Sequence, residues 1–154
     1  MGDEHSAVEA HVVERLRAQE QRFTPQRRAI VELLRNAGRP LSMPELLESD
    51  PTLAQSSVYR NLVVLEQAGV VLRVVTGDEF ARYELAEDLT GHHHHHLVCV
   101  SCGFIVDVTV SVDLEDRIES ALDRLASEHG FSVLDHRLDL LGQCAACRAL
   151  PAGD

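Results

Sequence analysis

The spacing of apolar residues predicts helices throughout the first half of the chain. Residues such as Val8, Val12 and Leu16 recur every four positions, which is the period that lines one face of a helix. Proline at a first helical position, or glycine just past the last one, marks the ends of these segments. The pattern predicts four helices, over residues 7–18, 25–37, 43–49 and 56–68.

The segment after the fourth helix is typical of a β-hairpin. Residues 70–76 and 80–85 are rich in β-branched and other apolar side chains, and the polar turn Gly77-Asp78-Glu79 separates them. A short helix, a turn and a longer helix have the spacing of a helix-turn-helix, and the hairpin then forms its wing. Residues 1–85 are therefore predicted to be a winged helix-turn-helix domain.

In this layout the fourth helix is the element that enters the major groove of DNA. Its outer face carries Ser56, Tyr59 and Arg60, and Ser57 lies beside them. An arginine can bond to guanine or phosphate, and a tyrosine ring can pack on a thymine methyl group. The alternative is an ordinary solvent-exposed helix, which the same pattern allows.

The distribution of charge bears on DNA binding. A net charge of −11 argues against a nucleic-acid partner, because phosphate binding needs clustered positive charge. However, residues 1–75 hold nine Arg against ten acidic residues, whereas residues 76–154 hold five Arg against fifteen. The acidity therefore lies mostly outside the predicted winged helix. All the cations are arginines, which suit bidentate contacts with phosphate and guanine.

The second half of the chain mixes strand and helix periods. Residues 86–91 are polar and acidic with no apolar period, so they mark a hinge between two domains. Leucines alternate with charged residues over 134–140, the pattern of a half-buried strand. The predicted elements are strands over residues 95–100 and 104–110, a helix from Leu114 to about Gly130, and a last strand that begins at residue 134 and leads to Cys144. The predicted fold class is α+β, with a small α/β domain over residues 92–148 and a tail over 149–154.

The chemistry of the chain concentrates after the hinge. The eleven residues His92–Cys102 carry seven imidazole or thiol side chains, which are the ligands that borderline-soft divalent metals prefer. Two CxxC pairs with no cysteine left over are typical of one tetrahedral zinc site, although 41 residues separate them. The four cysteines are Cys99, Cys102, Cys144 and Cys147.

Two alternatives concern these motifs. The histidine run resembles a purification tag, but it is internal and continues into the strand-like Leu97-Val98-Cys99-Val100. The cysteines could form two disulfides, as in a secreted domain. No apolar signal segment opens the chain, however, and CxxC pairs in an intracellular protein favour metal or redox chemistry. We therefore expect a cytoplasmic protein with a structural Zn²⁺ ion.

Strand geometry divides the histidine run into two sets. Side chains alternate between the two faces of a strand, so His94 and His96 point to one face while His93 and His95 point to the other. One run of histidines can therefore supply two metal sites. His136 lies on the apolar face of the last predicted strand, where a lone histidine is usually a hydrogen-bonded core residue.

The order of these parts resembles the ferric uptake regulator family of metal-responsive repressors. The likeness covers residues 12–148 and implies a homodimer that binds a palindromic double-stranded operator when metal is bound. No membrane or small-molecule substrate is expected as a partner. The matching motifs are Thr24-Pro25-Gln26-Arg27, Ser57-Val58-Tyr59-Arg60-Asn61-Leu62, the histidine cluster, the two CxxC pairs and His129-Gly130-Phe131.

The resemblance also implies a role for each candidate ligand. It implies a structural zinc site on the four cysteines, a sensing site for a second divalent metal, and a further metal site. Arg27 is an additional DNA-binding candidate within its motif. The implied sensing ligands are His94, His96 and Glu84, with Glu87 and Asp88 as alternatives, and the implied further site comprises His93, His95, Glu119 and His136. Asp107 matches a ligand position of peroxide-sensing relatives, or is an ordinary strand carboxylate.

The sensed metal is less defined than the class of protein. Many relatives have a histidine ligand just before the third helix, where this chain has Arg39-Pro40-Leu41. Histidine with carboxylate suits zinc, iron(II), manganese and nickel alike. We expect a non-enzymatic repressor of metal-homeostasis genes that senses zinc, with iron, nickel, manganese or peroxide sensing as alternatives. A histidine-rich metal carrier or store is a more distant alternative. A hydrolytic zinc enzyme is a further rival, but this sequence lacks the HExxH motif.

Overall fold

Two three-stranded sheets, each with helices beside it, form the part of the chain that the computed structural model describes, residues 2–76, 80–91 and 93–150. The helices are α1 (Gly2–Ala18), α2 (Pro25–Ala37), α3 (Met43–Ser49), α4 (Gln55–Gln67), α5 (Glu87–Thr90), α6 (Val112–Glu128) and α7 (Ala145–Ala149). The strands are β1 (Leu41–Ser42), β2 (Val71–Val74), β3 (Arg82–Leu85), β4 (His95–Cys99), β5 (Ile105–Val108) and β6 (Asp139–Gly142). The predicted α+β class is confirmed.

The first core is built from the helices α1 to α4 and a hairpin. The Thr24 side chain caps α2, and Gly38 ends that helix with a φ of 59°, a left-handed conformation that glycine adopts without strain. Ser42 and Glu45 form a reciprocal capping box that fixes the start of α3. Because these caps orient the helices, their apolar faces meet. The buried side chains include Val12, Leu16, Ile30, Leu34, Val58, Leu62, Leu65 and Val71.

The hairpin that follows α4 has the expected antiparallel pairing, from Val71 opposite Leu85 to Val74 opposite Arg82. Its predicted turn, Gly77-Asp78-Glu79, lies outside the described residues. The strand β1 was not predicted, because two residues are too short to show a period. It pairs with β3, so the sheet order is β1-β3-β2 and the wing is attached to the segment before α3.

The acidic hinge contains one turn of helix. We predicted residues 86–91 as a polar boundary without apolar periodicity, but α5 places Leu89 in the first core, where it is 6% exposed. The Arg15 guanidinium on α1 also pairs with Asp88 on α5. The hinge is therefore attached to the winged-helix half by the buried Ala86 and Leu89 side chains and by the Arg15–Asp88 ion pair.

The second sheet has β4 at its centre. This strand pairs antiparallel with β5 and parallel with β6, and His96 lies opposite Asp107 on one side and Asp139 on the other. The last strand, predicted from residue 134 towards Cys144, begins later than expected, because β6 spans only Asp139–Gly142. Alternation along the chain predicted the strand pattern, but only the ladder with β4 determines which of these residues pair.

The helix α6 buries none of its side chains within the described chain. Its apolar residues Val112, Leu114 and Leu125 are exposed, and Leu134 after it is 97% exposed. This surface therefore has no intramolecular cover among the described residues. None of the described helices combines the length and the apolar character that a membrane span requires.

Candidate metal centres and DNA-binding surface

The four cysteines form one group. Cys99 ends β4, Cys102 follows in the next turn, and Cys144 and Cys147 lie at the start of α7. The Sγ atoms of Cys102 and Cys144 are 3.8 Å apart. A tetrahedral zinc site with Zn–S bonds of about 2.3 Å has S···S edges of about 3.8 Å, so this separation fits the metal. All four Sγ atoms lie within 4.8 Å of one another, and none is in a disulfide.

The pKa values of these thiols are also consistent with a cation bound among them. Backbone N–H groups of Cys144 and Cys102 lower the pKa of Cys99 to about 6. Contacts with the thiols of Cys102 and Cys144 raise the pKa of Cys147 to about 12. One thiolate is thus stabilised by the backbone, while a neighbouring thiol resists ionisation next to it. A divalent ion would hold all four thiolates together.

A second group lies between the two halves of the molecule. Glu84 on β3 is buried, and its Oε2 atom lies 3.1 Å from Nε2 of His94 and 3.1 Å from Nε2 of His96. Asp107 on β5 completes the group, with Oδ1 3.7 Å from Nε2 of His96. This Oδ1 atom is buried without a hydrogen bond among the described residues. Two imidazoles and two carboxylates that converge in this way fit a divalent metal.

Asp139 positions His96 from β6, the strand on the other side of β4 from β5. Its Oδ1 atom lies 2.9 Å from Nδ1 of His96, so Nδ1 donates to a carboxylate while Nε2 faces the group. This is the usual carboxylate–histidine arrangement behind a metal ligand. The sequence pattern places Asp139 on the last predicted strand but does not show that this strand pairs with β4, so it does not identify Asp139 as a partner of His96. The two aspartates that flank His96 are also its cross-strand neighbours.

Proton competition at His96 should make metal binding depend on pH. Burial alone would lower the pKa of His96, but Glu84 and Asp139 outweigh it and raise that pKa from 6.5 to about 9. The metal-free ring is therefore protonated at neutral pH and must lose a proton on coordination. We expect affinity at this group to rise by about tenfold per pH unit from about pH 7 until the pH reaches that pKa.

Calorimetric titrations in buffers of different ionisation enthalpy measure the released proton directly. The variant Asp139→Asn removes one of the two carboxylates that raise this pKa, so its pH dependence should move to lower pH. An affinity that stays constant across the same range in wild type would contradict the expectation.

The third group lies on the opposite face of β4. Glu115 on α6 gathers three histidines, with its Oε1 atom 3.2 Å from Nε2 of His93 and 2.9 Å from Nε2 of His136. Its Oε2 atom lies 2.8 Å from Nε2 of His95, which is 1% exposed. Oε1 of Glu115 and Nε2 of both His93 and His136 are buried but lack hydrogen-bond geometry. Convergent, unsatisfied polar atoms of this kind fit a metal ion.

The predicted ligand Glu119 is not part of this group. Glu119 is exposed, whereas Glu115 is partly buried against the histidines. The two positions lie on the same face of α6, but four residues apart, which is about 6 Å along the helix axis. Helical spacing predicts the face, and only the packing of the first turn of α6 against β4 selects the residue. His93, His95 and His136 do lie together.

Some of the candidate DNA-binding residues are exposed in the structure, and others form hydrogen bonds within the protein. Tyr59 is 56% exposed on α4, and Ser56 and Arg60 are exposed beside it. Ser57 is only partly exposed and donates to Oε1 of Gln26. Arg27 donates from Nε to Asn61 on α4 and from its terminal nitrogens to Gln21 and to the carbonyl of Arg22. The Arg27 guanidinium therefore joins α2 to α4, which its position in a sequence motif does not reveal.

A helix-turn-helix with a wing, joined to a domain with candidate metal sites, defines a class of metal-binding transcriptional regulators. The chain belongs to the ferric uptake regulator family, whose sequence model matches residues 18–141. Members of this family are metal-binding repressors, for which DNA binding and dimerisation are typical. The family predicted from the sequence motifs is thereby confirmed.

Individual relatives cover most of the chain. The ferric uptake regulation protein of Bacillus subtilis is 33% identical over 141 residues, which is 88% of this chain and 91% of that protein. The peroxide-responsive repressor PerR of Staphylococcus aureus is 30% identical over 132 residues, 82% of each. These relatives are transcription regulators, and they sense different signals.

Solved structures agree with this assignment. The Helicobacter pylori ferric uptake regulator, which has three functional metal-binding sites, superposes with a TM-score of 0.69 at 26% identity and covers 94% of this chain and 96% of its own. A zinc-bound manganese uptake regulator gives a TM-score of 0.60 at 31% identity and covers 90% of this chain and 98% of its own.

Proposed function

We propose that this protein is a cytoplasmic, metal-dependent transcriptional repressor that controls genes of metal-ion homeostasis. One observation carries the proposal. The group Glu84, His94, His96 and Asp107 takes one ligand from the wing and three from the second sheet and the segment leading into it. A cation bound there joins the winged helix to the domain beyond the hinge. The proposed domain limits are residues 1–85 and 92–148, with the hinge at 86–91.

The proposed switch acts through the angle between these two domains. Without metal, Glu84 and Asp107 place two carboxyl groups in one partly buried site, and burial raises the pKa of Asp107. A divalent ion offsets this charge and fixes the wing against β4. Because only differential affinity shifts an equilibrium, metal must bind the closed form more tightly by about 1 to 3 kcal/mol. The closed form is the one that presents α4 to DNA.

The proposed homodimer uses the exposed apolar surface of α6 and the segment after it. Val112, Leu114 and Leu125 lie on the helix, and Phe131 and Leu134 follow it, all without cover among the described residues. A second copy of the chain, related to the first by a two-fold axis, would bury this surface. Two α4 helices related by that axis would contact the two halves of a palindromic operator.

The sensed metal is proposed to be zinc, as expected from the sequence. A second candidate, iron(II) or manganese(II), is favoured by the two carboxylates and the lack of a thiol in the sensing group. Carboxylate oxygen suits manganese, whereas imidazole suits zinc and iron. The ligand set is compatible with each of these ions, so metal titration against operator binding is the measurement that separates them.

Selection from a random DNA pool tests the proposed function. Purified protein with its structural zinc in place is incubated with the pool in added Zn²⁺, Mn²⁺ or anaerobic Fe²⁺, or in a mild chelator. We expect a palindromic sequence to be enriched only when metal is added. A metal carrier or store would bind the same ions and enrich no sequence. Equal enrichment in the chelator would contradict the metal-dependent switch.

Replacing Tyr59 or Arg60 by alanine should weaken binding to the selected operator. Each side chain is exposed on α4, and loss of one base or phosphate contact costs about 1 to 3 kcal/mol, roughly 5- to 150-fold in affinity. Fluorescence anisotropy with labelled operator measures the change. Arg17→Ala removes an exposed arginine from α1 and serves as the matched control for charge. Wild-type affinity in both α4 variants would show that another element reads the DNA.

A further inference from the structure

Glu87, the first residue of the hinge helix α5, contacts both histidine groups. Its Oε2 atom lies 2.6 Å from Nδ1 of His93, which belongs to the group around Glu115. Its Oε1 atom accepts a hydrogen bond of 3.2 Å from the backbone N–H of His94, which belongs to the group around Glu84. One carboxylate is therefore shared by consecutive histidines of different groups.

The geometry assigns the two nitrogens of His93 to different partners. Nε2 faces Glu115 at 3.2 Å and is buried without a hydrogen bond among the described residues, so it is the atom available to a metal. Nδ1 then carries the proton and donates a hydrogen bond to the Glu87 carboxylate. A carboxylate behind a ligating histidine fixes the ring orientation and makes the ring a better ligand, and its loss typically costs about 10- to 100-fold in metal affinity.

The second contact of Glu87 extends this effect to the other group. The Glu87 carboxylate accepts a hydrogen bond from the backbone N–H of His94. The Oε1 atom of Glu87 also lies 3.4 Å from Nδ1 of the His94 ring. A metal bound to Nε2 of His93 would withdraw electron density from that ring and would make its Nδ1–H a stronger hydrogen-bond donor. Glu87 is then held more firmly, and so is the position of His94.

We propose that Glu87 is a positioning residue that couples the two histidine sites, so that metal at the His93 group tightens metal binding at the His94 group. Linkage requires the reverse effect to be equally large. Because Glu87 begins α5, whose Leu89 packs in the first core, the same carboxylate links both sites to the winged-helix half. The inference rests on the proposed function only in taking the His94 group as regulatory.

A thermodynamic cycle on the full-length protein tests this coupling. Zn²⁺ affinity at the His94 group is measured by chelator competition, without DNA, in wild type, His136→Ala, Glu87→Gln and the double variant. His136→Ala disables the His93 group. We expect it to weaken the His94 group by about tenfold when Glu87 is present, within the usual range of coupling. In the Glu87→Gln background the same change should have no effect.

Glutamine is chosen because it keeps the size of the side chain but cannot accept two hydrogen bonds from opposite sides in the same way as a carboxylate. Asp88→Asn is the matched control, since Asp88 is the adjacent hinge carboxylate and pairs with Arg15. It should retain the tenfold effect. An equal effect of His136→Ala in the wild-type and Glu87→Gln backgrounds would overturn the proposal, as would its absence in both.

Metal stoichiometry and nitrogen NMR provide a second readout. Glu87, His93 and Asp135 also have ligand atoms within 4.8 Å of one another, so Glu87 could instead bind a metal directly. In that case Glu87→Gln would lose one bound Zn²⁺ and Nδ1 of His93 would carry metal, which would overturn the proposal. We expect unchanged stoichiometry and a proton on Nδ1 in the zinc-loaded protein. Intact coupling without metal-dependent operator selection would remove only the proposed function.

Discussion

Replacing Cys99 or Cys144 by serine is expected to abolish zinc retention and dimer formation together. Cys99 ends the central strand of the second sheet, and Cys144 is the N-cap residue of α7, the helix that follows β6. The 41 residues between Cys102 and Cys144 include β5, α6 and β6. The four-cysteine group therefore closes a loop that contains the whole proposed dimer surface.

The size of this effect follows from the coupling of metal binding to folding. A structural zinc site in a small domain has an apparent binding free energy of about 10 to 16 kcal/mol at neutral pH, and most of it is folding free energy. The helix α6 has no buried side chains within the described chain, so it has few other contacts to hold it in place. Without zinc, the second sheet and α6 are expected to lose their fixed positions relative to each other.

Metal analysis by mass spectrometry and sedimentation equilibrium measure the two outcomes on one sample. Ser101→Ala is the matched control, because Ser101 lies between the two cysteines of the first CxxC and its hydroxyl accepts a hydrogen bond from Gln143. It should keep both zinc and the dimer. A stable, zinc-free dimer of Cys99→Ser would refute a structural role for the site.

The double variant His94→Ala with His96→Ala is expected to lose metal-activated operator binding and to keep its structural zinc. These two imidazoles supply half of the group that faces the wing, and both contact Glu84. The two remaining carboxylates, Glu84 and Asp107, lie on different sheets and would hold a borderline-soft ion weakly. The wing would then no longer be fixed against β4 by metal.

Titration of metal against operator binding, followed by anisotropy, measures this loss. Folding is checked by circular dichroism and the cysteine site by its zinc content. His129→Ala at the end of α6 is the matched control, since it removes an exposed imidazole far along the chain from the histidine run. Metal-activated binding that survives in the double variant would place sensing at the His93 group instead.

The local pattern of the sequence determined the elements of the fold. Caps and periodicity depend on residues within one or two turns of each other, so Thr24, Gly38 and the Ser42–Glu45 capping box specify the ends of α2 and the start of α3 without the rest of the chain. The CxxC spacing and the alternation of a histidine-rich strand are local for the same reason. They allowed two histidine sets and a four-cysteine group to be predicted.

Only the tertiary structure decided which distant residues complete each group. Asp107 and Asp139 flank His96 because β5 and β6 pair with β4 in one particular register, which the sequence of each strand alone does not specify. Glu115 rather than Glu119 joins the histidines because the first turn of α6 is the one that packs against them. Strand register and helix placement are set by contacts between segments far apart in the chain, and these contacts exist only once the chain has folded.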